Sequence, residues 1–378
     1  MVSQVSRSLT KIVMQSLKPG FVIGLFGARR TGKTVLMHHI KDQLVNRKVL
    51  MVNGENLDVA EVLSSRRLSL LQQLVAGYEY LFVDEAQQIP TIGLNLKLLV
   101  DSFPDLSIFV TGSSAFGLKA EIGEPLTGRG IFFNLFPIAE LELEQDFLTA
   151  KEKLPERLIY GCYPQVITAS SADERMDHLE SIRNGALLKD ILMLDNVKDS
   201  IFLINLLRAL AFQIGNDVSH HELSRHLGVS KNTVARYIDL LEKTFVIFSL
   251  GGLSRNLRNE ISKSRRYYFW DNGIRNAVIS NYNRIELRDD TGRLWENYCL
   301  SERLKRNHYT RYRPNYYFWR TYQQQEIDLV EEFNNKFQAF EFKYSPREYV
   351  PPKAFTENYP GSDFQLIHRE DYLGFIGK

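Results

Sequence analysis

Four short, nearly continuous apolar runs mark the first third of the chain: FVIGLF (21–26), KVLMVNG (48–54), YLFVDE (80–85) and SIFVTG (107–112). Apolar runs of this length, without polar alternation, predict strands buried on both faces, as in parallel sheets. Between them, TVLMHHIKDQLV and IGLNLKLLVDSF carry apolar residues at helical spacing. Strand and helix in alternation predict a doubly wound α/β domain over 1–145. From about residue 146 the pattern turns helical and charged, with the turn GCYPQV inside it. Residues 200–250 read as helices with short spacers, followed by the strand signals FVIFSL and RRYYFW. After a break near YNRIELRDDTG comes a helix, GRLWENYCLSERLKR, and then the strands NYYFWRT, EIDLVEEF and KFQAFEFKY. The expected fold class is an α/β multidomain chain with units at 1–145, 146–198, 199–275 and 280–378.

Composition leaves this picture intact and narrows the setting. Of 378 residues, 44% are apolar and 24% charged, as in soluble globular proteins. The most apolar stretch, IFLINLLRALAFQI, is short and broken by Asn205 and Arg208, so no membrane partner is expected. The start MVSQVSRSLTKIV lacks a signal-peptide core, and Cys162 and Cys299 are too few for a disulfide framework or a zinc cluster. A cytoplasmic location is the expectation. The net charge is only +2, yet residues 255–320 hold 15 Lys and Arg against 7 Asp and Glu, interleaved with aromatics. That stretch predicts either a nucleic-acid surface or a solvated face over strand cores.

The first candidate chemistry follows the first strand. Gly27-Ala28-Arg29-Arg30-Thr31-Gly32-Lys33-Thr34 fits the phosphate-binding loop G-x-x-x-x-G-K-[ST], placed between an apolar strand and a helix. Glycines let backbone N–H groups crowd around phosphate oxygens, and the helix N-terminus adds a favourable dipole. Lys33 would contact the β- and γ-phosphates of ATP, and the Thr34 hydroxyl would help hold Mg²⁺. About fifty residues on, YLFVDE ends in Asp84 and Glu85. Asp84 would coordinate Mg²⁺ through water, and Glu85 would polarise the attacking water. The next strand ends in Thr111, Ser113 and Ser114, of which Ser113 is favoured to position water against the γ-phosphate. Arg129, in LTGRGIFFNL, is either an arginine finger reaching a neighbouring subunit or an ordinary surface arginine. The first role requires a homo-oligomer.

The motifs GARRTGKT, VDEAQ, TGSS, LTGR…LFPIAELE and GCYPQV, in this order, resemble those of an archaeal and bacterial family of AAA+-type ATPases. That family carries a C-terminal domain of restriction-endonuclease-like fold. The resemblance spans essentially the whole chain. It implies Lys33 as the phosphate lysine, Asp84 and Glu85 as the acidic pair and Arg129 as the finger candidate. It also implies a helical lid over 146–198. The turn GCYPQV departs from the usual Gly-Gly-Tyr/Phe-Pro-Glu at Cys162 and Gln165.

Two further patterns lie downstream. HHELSRHLGVSKNTVARYIDLLEKT reads as a helix-turn-helix, with Gly228 at the turn and Ser230 as a good N-cap. Val234, Ile238 and Leu241 continue the apolar stripe, while Lys231, Asn232, Thr233 and Arg236 point outward, as in a recognition helix. With the strands after it, the 199–275 unit reads as a winged helix, which suits either DNA contact or protein docking. In the last unit, Asp328 of EIDLV precedes Glu341 and Lys343 of FEFKY, an acid followed by Glu-x-Lys. Alternation puts Glu341 and Lys343 on one strand face beside Asp328. Two carboxylates, Asp328 and Glu341, can hold Mg²⁺ against a scissile phosphate while Lys343 steadies the attacking water. Glu296 in LWENY is a further acid, and the alternative is a set of surface acids.

The leading expectation is an ATPase acting on nucleic acid, DNA in the first instance, with ATP turnover coupled to a Mg²⁺-dependent nuclease-like domain. Two rivals stay open: a nucleotide-switched DNA-binding regulator, and a protein-docking signalling ATPase, each with an inert C-terminal domain.

Overall fold

The computed structural model describes residues 5–113, 126–187, 200–254 and 264–377. Ser114, the end of the expected helical lid, and Arg255, Arg258 and Lys263 of the basic stretch lie outside them. The chain forms two compact units, the first made chiefly of residues up to Pro137 and the second of residues from Ile138 onward.

The first unit is built on a five-stranded parallel sheet. Its strands are β1 (Val22–Phe26), β2 (Val49–Asn53), β3 (Tyr80–Asp84), β4 (Ser107–Gly112) and β5 (Gly130–Asn134), in the order β2-β3-β4-β1-β5. All five residues of β1 are buried, as its unbroken apolar run requires. All described pairings are parallel, so the strand ends Phe26, Asn53, Asp84 and Gly112 lie along one edge. That edge is where α/β sheets bind ligands. The loop after β1 passes so close to the end of β5 that a Cβ on Gly27 would lie 2.1 Å from the Leu135 carbonyl oxygen. Only glycine fits there.

The second unit holds a seven-stranded mixed sheet: β6 (Asp217–Val218), β7 (Ile247–Gly252), β8 (Arg265–Phe269), β9 (Asn315–Arg320), β10 (Glu326–Phe333), β11 (Lys336–Phe342) and β12 (Asp363–Ile367). Their order is β12-β11-β10-β9-β7-β8-β6. The strands on either side of the 275–280 break therefore share one sheet. The joint is narrow, a parallel pairing of Gly251 with Tyr317 and Gly252 with Phe318. The long helix Thr291–Tyr309 is pinned to β8 by one amide: Asn297 Oδ1 accepts the Phe269 N–H (2.7 Å) and its Nδ2 donates to the Phe269 carbonyl (3.0 Å). The helices His220–Leu227 and Lys231–Lys243 are joined through Gly228 at φ 69°, a left-handed turn. Val234, Ile238 and Leu241 are buried, whereas Lys231, Asn232 and Arg236 are exposed.

The GCYPQV turn has a structural account. Gly161 has φ 71°, and a Cβ there would sit 2.0 Å from Asp271 Oδ1. The buried Asp271 carboxylate accepts the Cys162 N–H (2.7 Å) and caps the helix Asn272–Ile279 through the Ile274 N–H (3.1 Å). Cys162 is buried, which pushes its thiol well up, and Gln165 is exposed.

Candidate nucleotide site and a buried acidic cluster

The phosphate loop is preset by local backbone and by one distant arginine. Arg30 (φ 64°) and Gly32 (φ 95°) are left-handed, which turns successive N–H groups inward as an anion-binding nest. Thr31 is fully buried and its hydroxyl donates to the Ala28 carbonyl at 2.9 Å. Arg7 donates to the Thr31 carbonyl and to the Phe136 carbonyl, each at 2.7 Å, bracing the loop from outside. The Lys33 ammonium folds onto the loop, 2.9 Å from the Gly27 carbonyl and 3.0 Å from that of Ala28. Arg29 is half-buried and Arg30 exposed beside it.

The strand ends then bring the acidic pair to the loop. Thr34 Oγ1 donates to Asp84 Oδ2 at 2.7 Å, so the hydroxyl and carboxylate assigned to one metal ion are already neighbours. Thr111 donates to the other oxygen of Asp84, and its own Oγ1 accepts the Glu85 N–H at 3.2 Å. Glu85 has φ 51°, an uncommon conformation for a non-glycine residue that recurs at functional sites. Gly54 leaves room for it: a Cβ at Gly54 would lie 2.6 Å from the Glu85 carbonyl oxygen. Gln87 Nε2 bridges the Glu85 carboxylate and Ser113 Oγ, the latter at 3.2 Å. Thr111, weighed in the sequence beside the favoured Ser113, is the residue that holds Asp84, and Gln87 is an addition that the sequence reading does not single out. Thr111 lay in the same polar strand end as Ser113, and Gln87 in the VDEAQ run.

Arg129 stands apart from this group. It immediately precedes β5, and its carbonyl accepts the Val22 N–H at the start of β1 (2.9 Å). The phosphate loop begins at the other end of β1, roughly 13 Å away at about 3.3 Å per residue. Arg129 is exposed and pairs with Asp101.

In the second unit, register sets Asp328 opposite Glu341, one step beyond the Leu329–Phe340 pair. Both side chains are buried. Asp328 Oδ2 accepts the Phe342 N–H at 2.9 Å, and Lys343 Nζ lies 2.6 Å from Glu341 Oε1. Glu341 Oε2 is buried without a hydrogen-bond partner. Burial, then the Asp328 charge, pushes Glu341 up to about 7. The same two causes push Glu296 up to about 8, and Glu296 accepts the Tyr268 hydroxyl at 2.7 Å. The structure thus brings Asp328, Glu341 and Lys343 together. Among the described residues, no group of three or more His, Cys, Asp and Glu side chains is arranged to hold a metal ion. An unpartnered buried carboxylate oxygen beside a second carboxylate is nevertheless a hard-oxygen donor set of the kind Mg²⁺ uses with water and phosphate completing its shell.

In the basic stretch, Arg265, Arg284, Arg293, Arg311 and Arg313 are exposed. Arg266, Arg275, Arg288, Arg303 and Lys305 are buried rather than presented to a partner. Each is spent on a carboxylate: Arg266 on Glu326 (2.7 Å), Arg275 and Arg288 on Asp290 (2.5 and 2.8 Å), Arg303 on Glu331 (2.8 Å), Lys305 on Glu302 (2.7 Å). Tyr267, Tyr268, Phe318 and Trp319 are buried as well and offer no stacking platform. A buried cation must be paired, so much of the local excess is internal structure.

Comparison with known proteins divides the chain in three. Residues 20–143 match an AAA domain family, residues 151–285 a domain of unknown function, DUF8612, and residues 291–363 another, DUF4143. An uncharacterized protein of Haemophilus influenzae is 27% identical over 293 residues, covering 70% of this chain and 72% of that protein. An uncharacterized protein of Mycobacterium tuberculosis is 26% identical over 327 residues, covering 85% and 70%. Among solved structures, the Walker-type ATPase paby2304 of Pyrococcus abyssi is 16% identical, covers 72% of this chain and 94% of its own, and has a TM-score of 0.46. The AAA domain match supports an AAA+-type ATPase, and the parallel sheet with its phosphate loop agrees with it. Among the described residues no helix is long and apolar enough to cross a membrane.

Proposed function

We propose that the chain is an ATP-hydrolysing AAA+-type enzyme acting on DNA, with turnover coupled to a Mg²⁺-dependent nuclease-like module at its C-terminus. The observation that carries the ATPase reading is the contact series Thr34–Asp84–Thr111 with Glu85 at its end. Loop N–H groups and Lys33 would bind the phosphates, exchanging the Gly27 and Ala28 carbonyls for phosphate oxygens. Thr34 and Asp84 would hold Mg²⁺, which supplies charge neutralisation at the β- and γ-phosphates. Glu85 would take the proton side of the attacking water, with Gln87 and Ser113 fixing its carboxylate.

DNA contact is assigned to the exposed residues Lys231, Asn232 and Arg236 of the winged-helix reading, rather than to the basic stretch, five of whose cations are buried. The nuclease-like part rests on Asp328, Glu341 and Lys343. A second reading, a nucleotide-switched DNA-binding regulator, is favoured by the cations Lys343 and Arg266 that already lie against those carboxylates. ATP turnover with and without duplex DNA at low salt tests the reading: stimulation that fades steeply as salt rises supports DNA action. Turnover indifferent to DNA at every salt concentration removes it.

Arg129 can serve the nucleotide only in trans, because it sits at the far end of its own sheet. ATPase activity per subunit should then rise with protein concentration. Arg129→Ala should flatten that rise while ATP binding survives. Mixing Arg129→Ala with Lys33→Ala subunits should restore part of the activity, since each supplies what the other lacks at one interface. No recovery, with concentration-independent wild-type turnover, leaves Arg129 as the partner of Asp101 and nothing more.

A further inference from the structure

The acidic cluster of the C-terminal module is completed by a strand from before it. Arg266 and Tyr268 are alternate residues of β8, so they share a face, and both are buried. Tyr268 donates to Glu296 at 2.7 Å. The Arg266 guanidinium crosses the Phe318 ring at 4.5 Å to reach Glu326 (2.7 Å) and Asp328 (3.9 Å), and it is anchored behind by Asp217 (3.2 Å). Tyr267, between them, faces away and meets His220 at 2.8 Å. On the side facing Glu341, Oε2 remains buried and without a partner.

We infer that Arg266 is a tethered counter-cation that competes with a hard divalent metal ion for Asp328, so that strand β8 sets the metal affinity of the C-terminal site. The inference rests on the proposed metal-binding role of Asp328 and Glu341. A guanidinium held by three carboxylates offsets part of the cluster's charge without metal, and its fixed charge opposes an incoming cation. A unit charge about 5 Å from a divalent ion changes affinity by more than about tenfold even at the dielectric of bulk water. Because β8 follows the helices assigned to DNA contact, displacement of this strand would bear directly on the site.

The test is calorimetric titration of the full chain with Mn²⁺, without nucleotide. A Thr34→Ala background silences the phosphate-loop site. Arg266→Gln is expected to bind Mn²⁺ at least about tenfold more tightly than the parent, and Arg266→Lys, which keeps the charge, to stay within about threefold of it. Asp328→Asn should remove binding from both. Should Arg266→Gln fail to melt as a folded protein, Arg266→Met, which keeps an apolar stem against the Phe318 ring without the charge, carries the same expectation. Unchanged or weaker Mn²⁺ binding in the folded variant overturns the competition. Absence of any Asp328-dependent binding in parent and variant alike overturns the metal role as well, and the two failures are thereby told apart.

Discussion

Lys33→Ala is expected to abolish ATP binding, and Glu85→Gln to bind ATP normally while turnover falls roughly a hundredfold or more. The split follows from where the two side chains stand. Lys33 is buried in the loop with its ammonium on two loop carbonyls, contacts that phosphate oxygens can replace with opposite charge. Without it the cradle keeps its N–H groups but loses its one buried positive charge aimed at the loop centre. Glu85 lies at the β3 end, and its backbone N–H rests on Thr111 Oγ1, so the variant keeps its conformation and loses only the base. Equilibrium binding of a fluorescent ATP analogue and steady-state phosphate release on both variants decide the matter. Wild-type turnover in Glu85→Gln would take the catalytic role away from that residue, and ATP binding by Lys33→Ala at wild-type affinity would do the same for the loop lysine.

What could be seen in the sequence was what is local in it. The phosphate loop is eight contiguous residues whose geometry depends on their own glycines, and the four apolar runs that flank the site are the four strands β1 to β4. The contributions of Thr111 and Gln87 depend on β4 lying beside β3, a fact of strand order that no single segment carries. The same holds for Gly54, which is required by the approach of Glu85 rather than by a turn. Two cations of the basic stretch have remote partners: Glu331 of β10 neutralises Arg303 of the long helix, and Glu326 takes Arg266 across sixty residues. A count over 255–320 registers these two cations and omits Glu326 and Glu331, which lie beyond it. β12, only five residues long, was not anticipated, and its parallel pairing with β11 places it at the sheet edge. The Asp328–Glu341 pairing, by contrast, was foreseeable from alternation alone, because the two strands form a simple antiparallel hairpin.

That hairpin carries the second large expected effect. Either Asp328→Asn or Glu341→Gln should eliminate metal-dependent nicking of plasmid DNA, because each removes one of two carboxylates that face each other across β10 and β11. Lys343→Ala should slow nicking by about a hundredfold while most of the metal affinity remains, since an ammonium is not a ligand. Its Nζ lies 2.6 Å from Glu341 Oε1, so the variant also frees that oxygen for a metal ion. ATP binding should persist in all three variants, because the phosphate loop belongs to the other compact unit. DNA binding should persist too, carried by the exposed face of the helix Lys231–Lys243 and weakened steeply by salt. Nicking is followed with Mg²⁺ and with Mn²⁺, in the presence and absence of ATP, and metal binding by calorimetry on the same preparations. If the wild-type protein leaves DNA and RNA intact under every condition and binds no metal through Asp328, the nuclease assignment falls. The buried carboxylates would then be partners of Arg266 and Lys343 in a scaffold that joins β8 to β10, and the nucleotide-switched regulator would take its place.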